Sequence, residues 1–254
     1  MERHRWLVLG EDALPDGEQW LSPGEAEVLR RLRYTKRRTE YLLRRLVTKH
    51  AVASVTGRSV DPAELAGIEV RNAPSGAPFV CVDGDPVGFG VSISDRAGWA
   101  VCMTCPTESP ALGCDLELVE PRTPGFVADF LTPAEQRWVA SHPDRDVAAN
   151  LLWSAKESAL KVLQTGLRRD TRSVEVTVDE PRGDGWGALT VRAVEGPLFP
   201  GWWRRDGRFV LTTAARVAHE PPAPLGDPAV LSAAQPRHSW LHRPLHVPPA
   251  AVER

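Results

Sequence analysis

The stretch ALGCDLELVEPR, residues 111–122, decides how the chain is read. It sets Asp115 and Glu117 two residues apart inside an apolar run. Side chains alternate along a strand, so positions i and i+2 share a face. Two carboxylates aimed the same way from a half-buried strand repel each other unless a cation sits between them. The rest of the sequence must supply that cation and a use for it.

Working outward, PVGFGVSISD (86–95) and GWAVCMTC (98–105) are further strand candidates rich in β-branched residues. RNAPSGAPFVCVDG (71–84) is a turn-rich connection into a strand. Residues 22–55 read as helix. SPGEAEVLRRL opens with Ser22 as a cap and Pro23 behind it, and the helical pattern stops before Gly57. Nine Lys or Arg fall between Arg30 and Lys49 against one acid, Glu40, which makes either a solvated helix face or an anion site.

On the other side, TPAEQRWVASH (132–142) carries Thr132 as cap, Pro133 next and Glu135 three residues on. AANLLWSAKESALKVLQTG (148–166) is a strong helix with Gly166 as its expected cap. TRSVEVTVDE (171–180), GALTVRAVEG (187–196) and GRFVLTTAARV (207–217) read as strands.

The order is helix then strands, twice over. RLVTKHAVASV (45–55) weakly echoes WSAKESALKVL (153–163), and GWAVCMT (98–104) echoes GRFVLTT (207–213) at a similar separation. The expected fold is α+β, in two related halves joined near Ser109–Gly113. Residues 1–110 form one half and residues 111–220 the other, which carries the paired carboxylates. Residues 221–254 hold eight of the 23 prolines and no clear periodicity, and read as a mobile tail. His238, His242 and His246 lie in it at a helical spacing, but Pro244 argues against a continuous helix that would align them.

A chain of 254 residues, 42% apolar and 25% charged, has the composition of a soluble globular protein with a sizeable core. A net charge of −2 does not suggest a general nucleic-acid binder. No signal peptide and no membrane-length apolar run is evident, so a cytoplasmic protein is expected. Of the four cysteines, Cys102 and Cys105 make a C-x-x-C that ends a strand-like run rather than opening a helix. With no second Cys or His pair near it, all four read as plain thiols.

On a helical wheel Leu152, Ala155, Ala159, Leu160 and Leu163 form a core arc, while Trp153, Glu157 and Lys161 form a separate stripe. Lys156 falls inside the apolar arc, where it must snorkel out or serve a site. One helix carboxylate and two strand carboxylates, Glu157 with Asp115 and Glu117, could share one hard cation. Mg²⁺ prefers oxygen ligands completed by substrate phosphates, and the nearby lysines suit a polyphosphate. The pattern points to metal-assisted transfer at a phosphate ester or anhydride.

Six segments together resemble the Sfp-type 4′-phosphopantetheinyl transferases. LGCDLE (112–117) resembles the family's G-[IV]-D-[IVL]-E. FLTPAEQRW (130–138) resembles the segment that follows it. WSAKESALKVLQTGL (153–167) resembles W-[ST]-x-K-E-[AS]-x-x-K-x-x-G-x-G-[IL]. Upstream, SGAPFV (75–80), VSISDRAGWAVC (91–102) and RRTEYLLRRLVTKHAV (37–52) are similar to its remaining motifs. The resemblance covers roughly residues 30–215. It implies two similar α+β halves related by pseudo-twofold symmetry, with coenzyme A in the cleft between them. It implies transfer of 4′-phosphopantetheine from coenzyme A to a serine of an acyl or peptidyl carrier protein, with release of adenosine 3′,5′-bisphosphate.

Carried over by position, Asp115, Glu117 and Glu157 would hold Mg²⁺, and Glu157, Lys161 and Lys156 would carry the catalysis. Arg38, Arg45, Gly76, Pro78, Ser94, Asp95 and Arg96 would contact the coenzyme. A monomer with no nucleic-acid or membrane partner is implied. Three positions depart from the pattern: Asp95 stands for a histidine, Ala77 for a Lys or Arg, and Arg44 for a small residue. The first two remove positive charge, which leaves a non-catalytic carrier or nucleotide binder as the alternative. Asp95 is expected to pair with a basic residue, with Arg96 or Arg45 taking the phosphate contact.

Overall fold

The computed structural model describes residues 3–106, 112–164, 170–193 and 196–237, and its fold is mixed α+β. The first part of the chain runs β1 (Arg5–Gly10), α1 (Pro23–Arg31), α2 (Thr35–Thr56), α3 (Pro62–Ala66), β2 (Ile68–Asn72), β3 (Pro78–Val82), β4 (Asp85–Pro86), β5 (Gly90–Arg96) and β6 (Trp99–Cys105). The second runs β7 (Leu112–Leu118), α4 (Pro124–Phe130), α5 (Pro133–Ser141), α6 (Arg145–Leu163), β8 (Val174–Val178), β9 (Gly187–Ala193), β10 (Leu198–Asp206), β11 (Phe209–Ala215), β12 (Ala223–Pro224) and α7 (Ala229–Ser232). One sheet has the order β12-β1-β6-β5, a second β7-β11-β10-β9-β8, and β2-β3-β4 make a small third.

The helices begin where local chemistry starts them. Ser22 and Glu25 close a capping box on α1, and Thr132 and Glu135 close the same box on α5, each with Pro at the first helical position. The helical run expected over residues 22–55 is two helices, broken at Leu32–Tyr34. The second ends at Gly57, whose φ of 71° needs no Cβ to be avoided. Gln164 caps α6 in a left-handed conformation; the expected cap, Gly166, lies outside the described residues.

The two capping glutamates do more than start helices. Glu25 pairs with Lys49 of α2 at 2.6 Å, and Lys49 Nζ also donates to the carbonyls of Trp20 and Leu65. Glu135 pairs with Lys156 of α6 at 2.8 Å, and Lys156 Nζ donates to the carbonyls of Thr171 and Val174. The other oxygen of Glu25 accepts from Val70 N–H, and that of Glu135 from Val176 N–H. One polar knot is thus built twice. The sequence echo set Lys49 against Glu157; the structure sets it against Lys156, one residue earlier.

This corrects the role expected of Lys156. Its side chain is fully buried, all three ammonium protons have partners within the fold, and it does not line the cleft described below. Burial pushes its pKa below the usual value while Glu135 pulls it back. A fully satisfied buried pair is a fastener, and removing one partner costs roughly 3–5 kcal/mol.

Three apolar clusters surround these knots. One packs α2 on β1, β5, β6 and β2; one packs α6 on β8–β11; and one lies between the two larger sheets, around Trp6, Trp186, Trp202 and Phe209. Residues 221–237 are not the tail expected of them. β12 pairs in parallel with β1, Leu231 of α7 is buried, and Trp99 Nε1 donates to the Gln235 carbonyl. The prolines there suit an edge strand and its turns. The three tail histidines lie outside the described residues. All four cysteines are buried free thiols.

Candidate active site

β7, the strand of the opening stretch, is wholly buried rather than half-buried, and Asp115 and Glu117 share one of its faces. It lies in the sheet beside β11 and packs against β5 of the other sheet. Side chains stitch that seam. Ser92 Oγ accepts from Cys114 N–H at 2.9 Å, and Ser94 Oγ donates to Asp115 Oδ1 at 2.9 Å.

Gly113 lets α6 descend onto the strand. A Cβ there would lie 1.8 Å from the carbonyl oxygen of Ser158, so no side chain fits. That close approach brings Glu157 and Lys161 to Asp115. Lys161 Nζ donates to Asp115 Oδ1 at 2.9 Å and to the Cys114 carbonyl at 2.7 Å. Trp153, one turn before Glu157, donates its indole N–H to Glu117 Oε1 at 2.9 Å. The stripe read on the wheel is the face of α6 that meets the carboxylates.

Part of the cation demanded by the sequence is therefore protein. Lys161 serves Asp115, while Arg96 and Arg122 approach Glu117 Oε2 at 3.2 and 3.1 Å. Arg122 also donates to Asn150 Oδ1 at 2.7 Å, and Arg96 to Glu120. Arg122, Glu120, Asn150 and the Ser92 contact were not assigned from sequence. Arg122 ends the opening stretch, and a cation five residues beyond a buried acid was the available signal.

In this cluster, among the described residues, two carboxylate oxygens have no partner. Asp115 Oδ2 and Glu157 Oε1 are buried and accept no hydrogen bond. Burial, then the charges of Asp115 and Glu117, push the Glu157 carboxyl up to about 7, against the pull of Lys161. Burial and Asp115 raise Glu117 also, opposed by Arg96 and Arg122. Burial works against the Lys161 charge, but Asp115 and its neighbours outweigh it and hold the ammonium protonated. Hard oxygen donors with orphaned lone pairs fit a hard divalent cation. Among the described residues, no group of three or more His, Cys, Asp or Glu side chains converges as a ready-made metal cage.

A cleft of ≈ 630 Å³ opens beside this cluster. Gly76 and Pro78 line it, with Ser92, Ile93 and Lys161, so Lys161 belongs to both cleft and carboxylates. Gly76 sits at a φ of 90° in the turn between β2 and β3. The other residues expected at a coenzyme have different contacts. Arg38 donates to the carbonyls of Leu29 and Leu32 and reaches Glu18, which caps the end of α1 and corrects its expected role. Arg45 stacks on the Tyr41 ring at 4.1 Å, its Nε buried and unpartnered. Ser94 contacts Asp115, and Arg96 bridges Glu117 and Glu120. Asp95 accepts from Arg44 at 2.7 Å. Two departures from the pattern are thus each other's partners, and the basic residue that pairs with Asp95 is Arg44.

Residues 111–213 match the family described as the 4′-phosphopantetheinyl transferase superfamily. A Thraustochytrium protein named phosphopantetheinyl transferase is 29% identical, over 65% of this chain and 60% of its own length. A Bacillus subtilis protein named 4′-phosphopantetheinyl transferase is 27% identical, over 77% of this chain and 82% of its own. The matched segment, which is similar to the 4′-phosphopantetheinyl transferase superfamily, holds Asp115, Glu117, Glu157 and Lys161.

Proposed function

We propose that the chain transfers the 4′-phosphopantetheine group of coenzyme A to a serine of an acyl or peptidyl carrier protein, with Mg²⁺, releasing adenosine 3′,5′-bisphosphate. The observation that carries this reading is Lys161, which lines the cleft and donates to Asp115 at once. An anionic substrate in the cleft would lie against a lysine backed by two buried carboxylates, Asp115 and Glu117, and the half-buried Glu157.

Asp115, Glu117 and Glu157 form the acidic set for the cation, and the orphaned oxygens of Asp115 and Glu157 support it. A bound divalent cation would offset pyrophosphate charge. The carrier serine oxygen forms a bond to the β-phosphorus, and the pyrophosphate bridge breaks with its electrons on the leaving bisphosphate. Glu157, or a water beside it, would take the serine proton. Lys161, whose third contact is a long one of 3.5 Å to the Ile93 carbonyl, would turn that proton to the leaving phosphate as its charge grows. Gly76 and Pro78 shape the cleft wall, and Arg45 offers the coenzyme a cation with no carboxylate partner among its described contacts.

The Arg44–Asp95 pair answers the objection that an acid at position 95 repels the coenzyme, because the acid arrives already neutralised. The retained carboxylate and lysine set favours turnover over mere binding. The reading includes a monomer acting without nucleic acid or membrane. Among the described residues, no helix is long and apolar enough to cross a membrane. Chromatography of coenzyme A incubated with the protein, Mg²⁺ and an apo carrier domain tests the reaction. Adenosine 3′,5′-bisphosphate should form only when the carrier serine is present, and no release across a panel of carriers refutes it.

A further inference from the structure

We propose that Ala229–Arg237 is a clamp tying the corresponding hairpin turns of the two halves together, with Trp99 and Arg237 as positioning residues for the β5 end that enters the candidate site. The consequence for coenzyme A rests on the function proposed above; the clamp itself does not.

The two turns correspond in sequence and in fold. GWAVCMT and GRFVLTT, the segments that echo each other, begin at Gly98 and Gly207. Gly98 sits in the turn joining β5 to β6, and Gly207 in the turn joining β10 to β11, at φ of 80° and 57°. One short segment covers both. A Cβ on Gly207 would lie 2.5 Å from the Ser232 carbonyl oxygen, and one on Gly98 would lie 2.6 Å from Arg237 Cβ. Glycine therefore serves the close approach of the segment as well as the turn.

Polar contacts fasten the segment at each end. Ser232 Oγ donates to Asp206 Oδ1 at 3.0 Å, next to Gly207. At the other turn, Arg237 N–H donates to the Ala97 carbonyl at 2.7 Å and Trp99 Nε1 donates to the Gln235 carbonyl at 2.8 Å. The Arg237 guanidinium pairs with Asp12. Between the ends, Leu231 and Ala234 are buried in the apolar cluster that lies between the two larger sheets and also takes Ala97.

The turn at Ala97 matters because of what precedes it. Ser94 donates to Asp115, Asp95 pairs with Arg44, and Arg96 reaches Glu117 and Glu120. Ala97 itself holds a φ of 49°, a left-handed conformation that a residue with a Cβ keeps only when its surroundings impose it. The clamp is that surrounding. The cleft also takes walls from both halves, Gly76 and Ile93 from one and Lys161 and Gln164 from the other. A tie between the halves thus holds those walls at one spacing.

The test reads backbone hydrogen exchange by mass spectrometry and coenzyme A affinity by titration calorimetry. In the full chain, Trp99→Phe with Arg237→Ala removes the indole donor and the guanidinium but keeps the buried anchors. The amides of residues 94–99 should exchange about fivefold faster, and the Kd for coenzyme A should rise about threefold or more. Ending the chain after Pro228 keeps β12 and removes the clamp outright, and both changes should reach about tenfold. If that shorter chain does not fold, the double variant decides. Unchanged exchange at residues 94–99 overturns the clamp. Acceleration spread evenly over α2 and α6 marks mere loss of stability and overturns it as well. Faster exchange with an unchanged Kd overturns the positioning role. A parent protein that binds no coenzyme A overturns the positioning role together with the proposed function, and exchange still decides the clamp.

Discussion

Glu157→Gln should make the protein more stable while destroying its activity. The folded site raises this carboxyl from 4.5 to about 7, chiefly by burial and secondarily by the charge of Asp115. At about 1.4 kcal/mol per pH unit, ionising it in the metal-free protein costs on the order of 3 kcal/mol. Because the folded value lies above the unfolded one, folding favours the protonated acid. That contribution is complete below about pH 4.5, fades as the pH rises, and is gone above about pH 7. Glutamine has no charge to lose. With divalent cations chelated, the variant should match the parent near pH 4.5 and exceed it at pH 8 by up to that amount. For a chain of this size the gain is about 6–12 °C in melting temperature. Scanning calorimetry at the two pH values, with EDTA, reads the difference directly. Mg²⁺ with coenzyme A should then stabilise the parent at pH 8 and not the variant. A variant no more stable than the parent at pH 8 would refute the view that Glu157 is a strained, waiting ligand.

The polar knots make a complementary prediction: Lys156→Ala should cost roughly 3–5 kcal/mol by urea unfolding, and Lys49→Ala a similar amount. The folded fraction of Lys156→Ala should turn over normally; a stable but inactive Lys156→Ala protein would restore its catalytic role. Gly113→Ala should lose both stability and transfer, because its Cβ would meet the Ser158 carbonyl oxygen at 1.8 Å, and a fully active variant would contradict the packing. Arg44→Ala should raise the KM for coenzyme A about tenfold by baring Asp95, and Arg44→Ala with Asp95→Ala should recover most of it. Equal KM values for the single and double variants would show that the pair does not face the substrate. Truncation after Glu220 should lower the melting temperature, since it removes β12 and buried Leu231.

What the sequence disclosed follows from what each signal is made of. The capping boxes at Ser22 and Thr132 and the strands around Asp115 are local, and local rules find them. The wheel put Trp153, Glu157 and Lys161 on one stripe because helical spacing alone fixes that face. β1 and β10 went unread: they carry mixed apolar and charged residues, and only their sheet neighbours stabilise them. Lys156 was misread because a lysine among leucines looks the same whether it serves a ligand or a glutamate 21 residues away in sequence. The meeting of two cations on Glu117 was hidden as well, although Arg122 stands in the opening stretch. Arg96 and Arg122 come from different segments of the chain and meet only once β5 and β7 are packed together. Proline count misled at residues 221–237, where pairing with β1 overrides composition.

The most direct measurement is the intact mass of an apo carrier domain after incubation with this protein, coenzyme A and Mg²⁺. The parent protein should add one phosphopantetheine group per carrier, on its serine, and the Asp115→Asn protein should add none. A panel of carriers that keeps its starting mass with the folded parent, or a gain that persists undiminished in Asp115→Asn, would contradict the account.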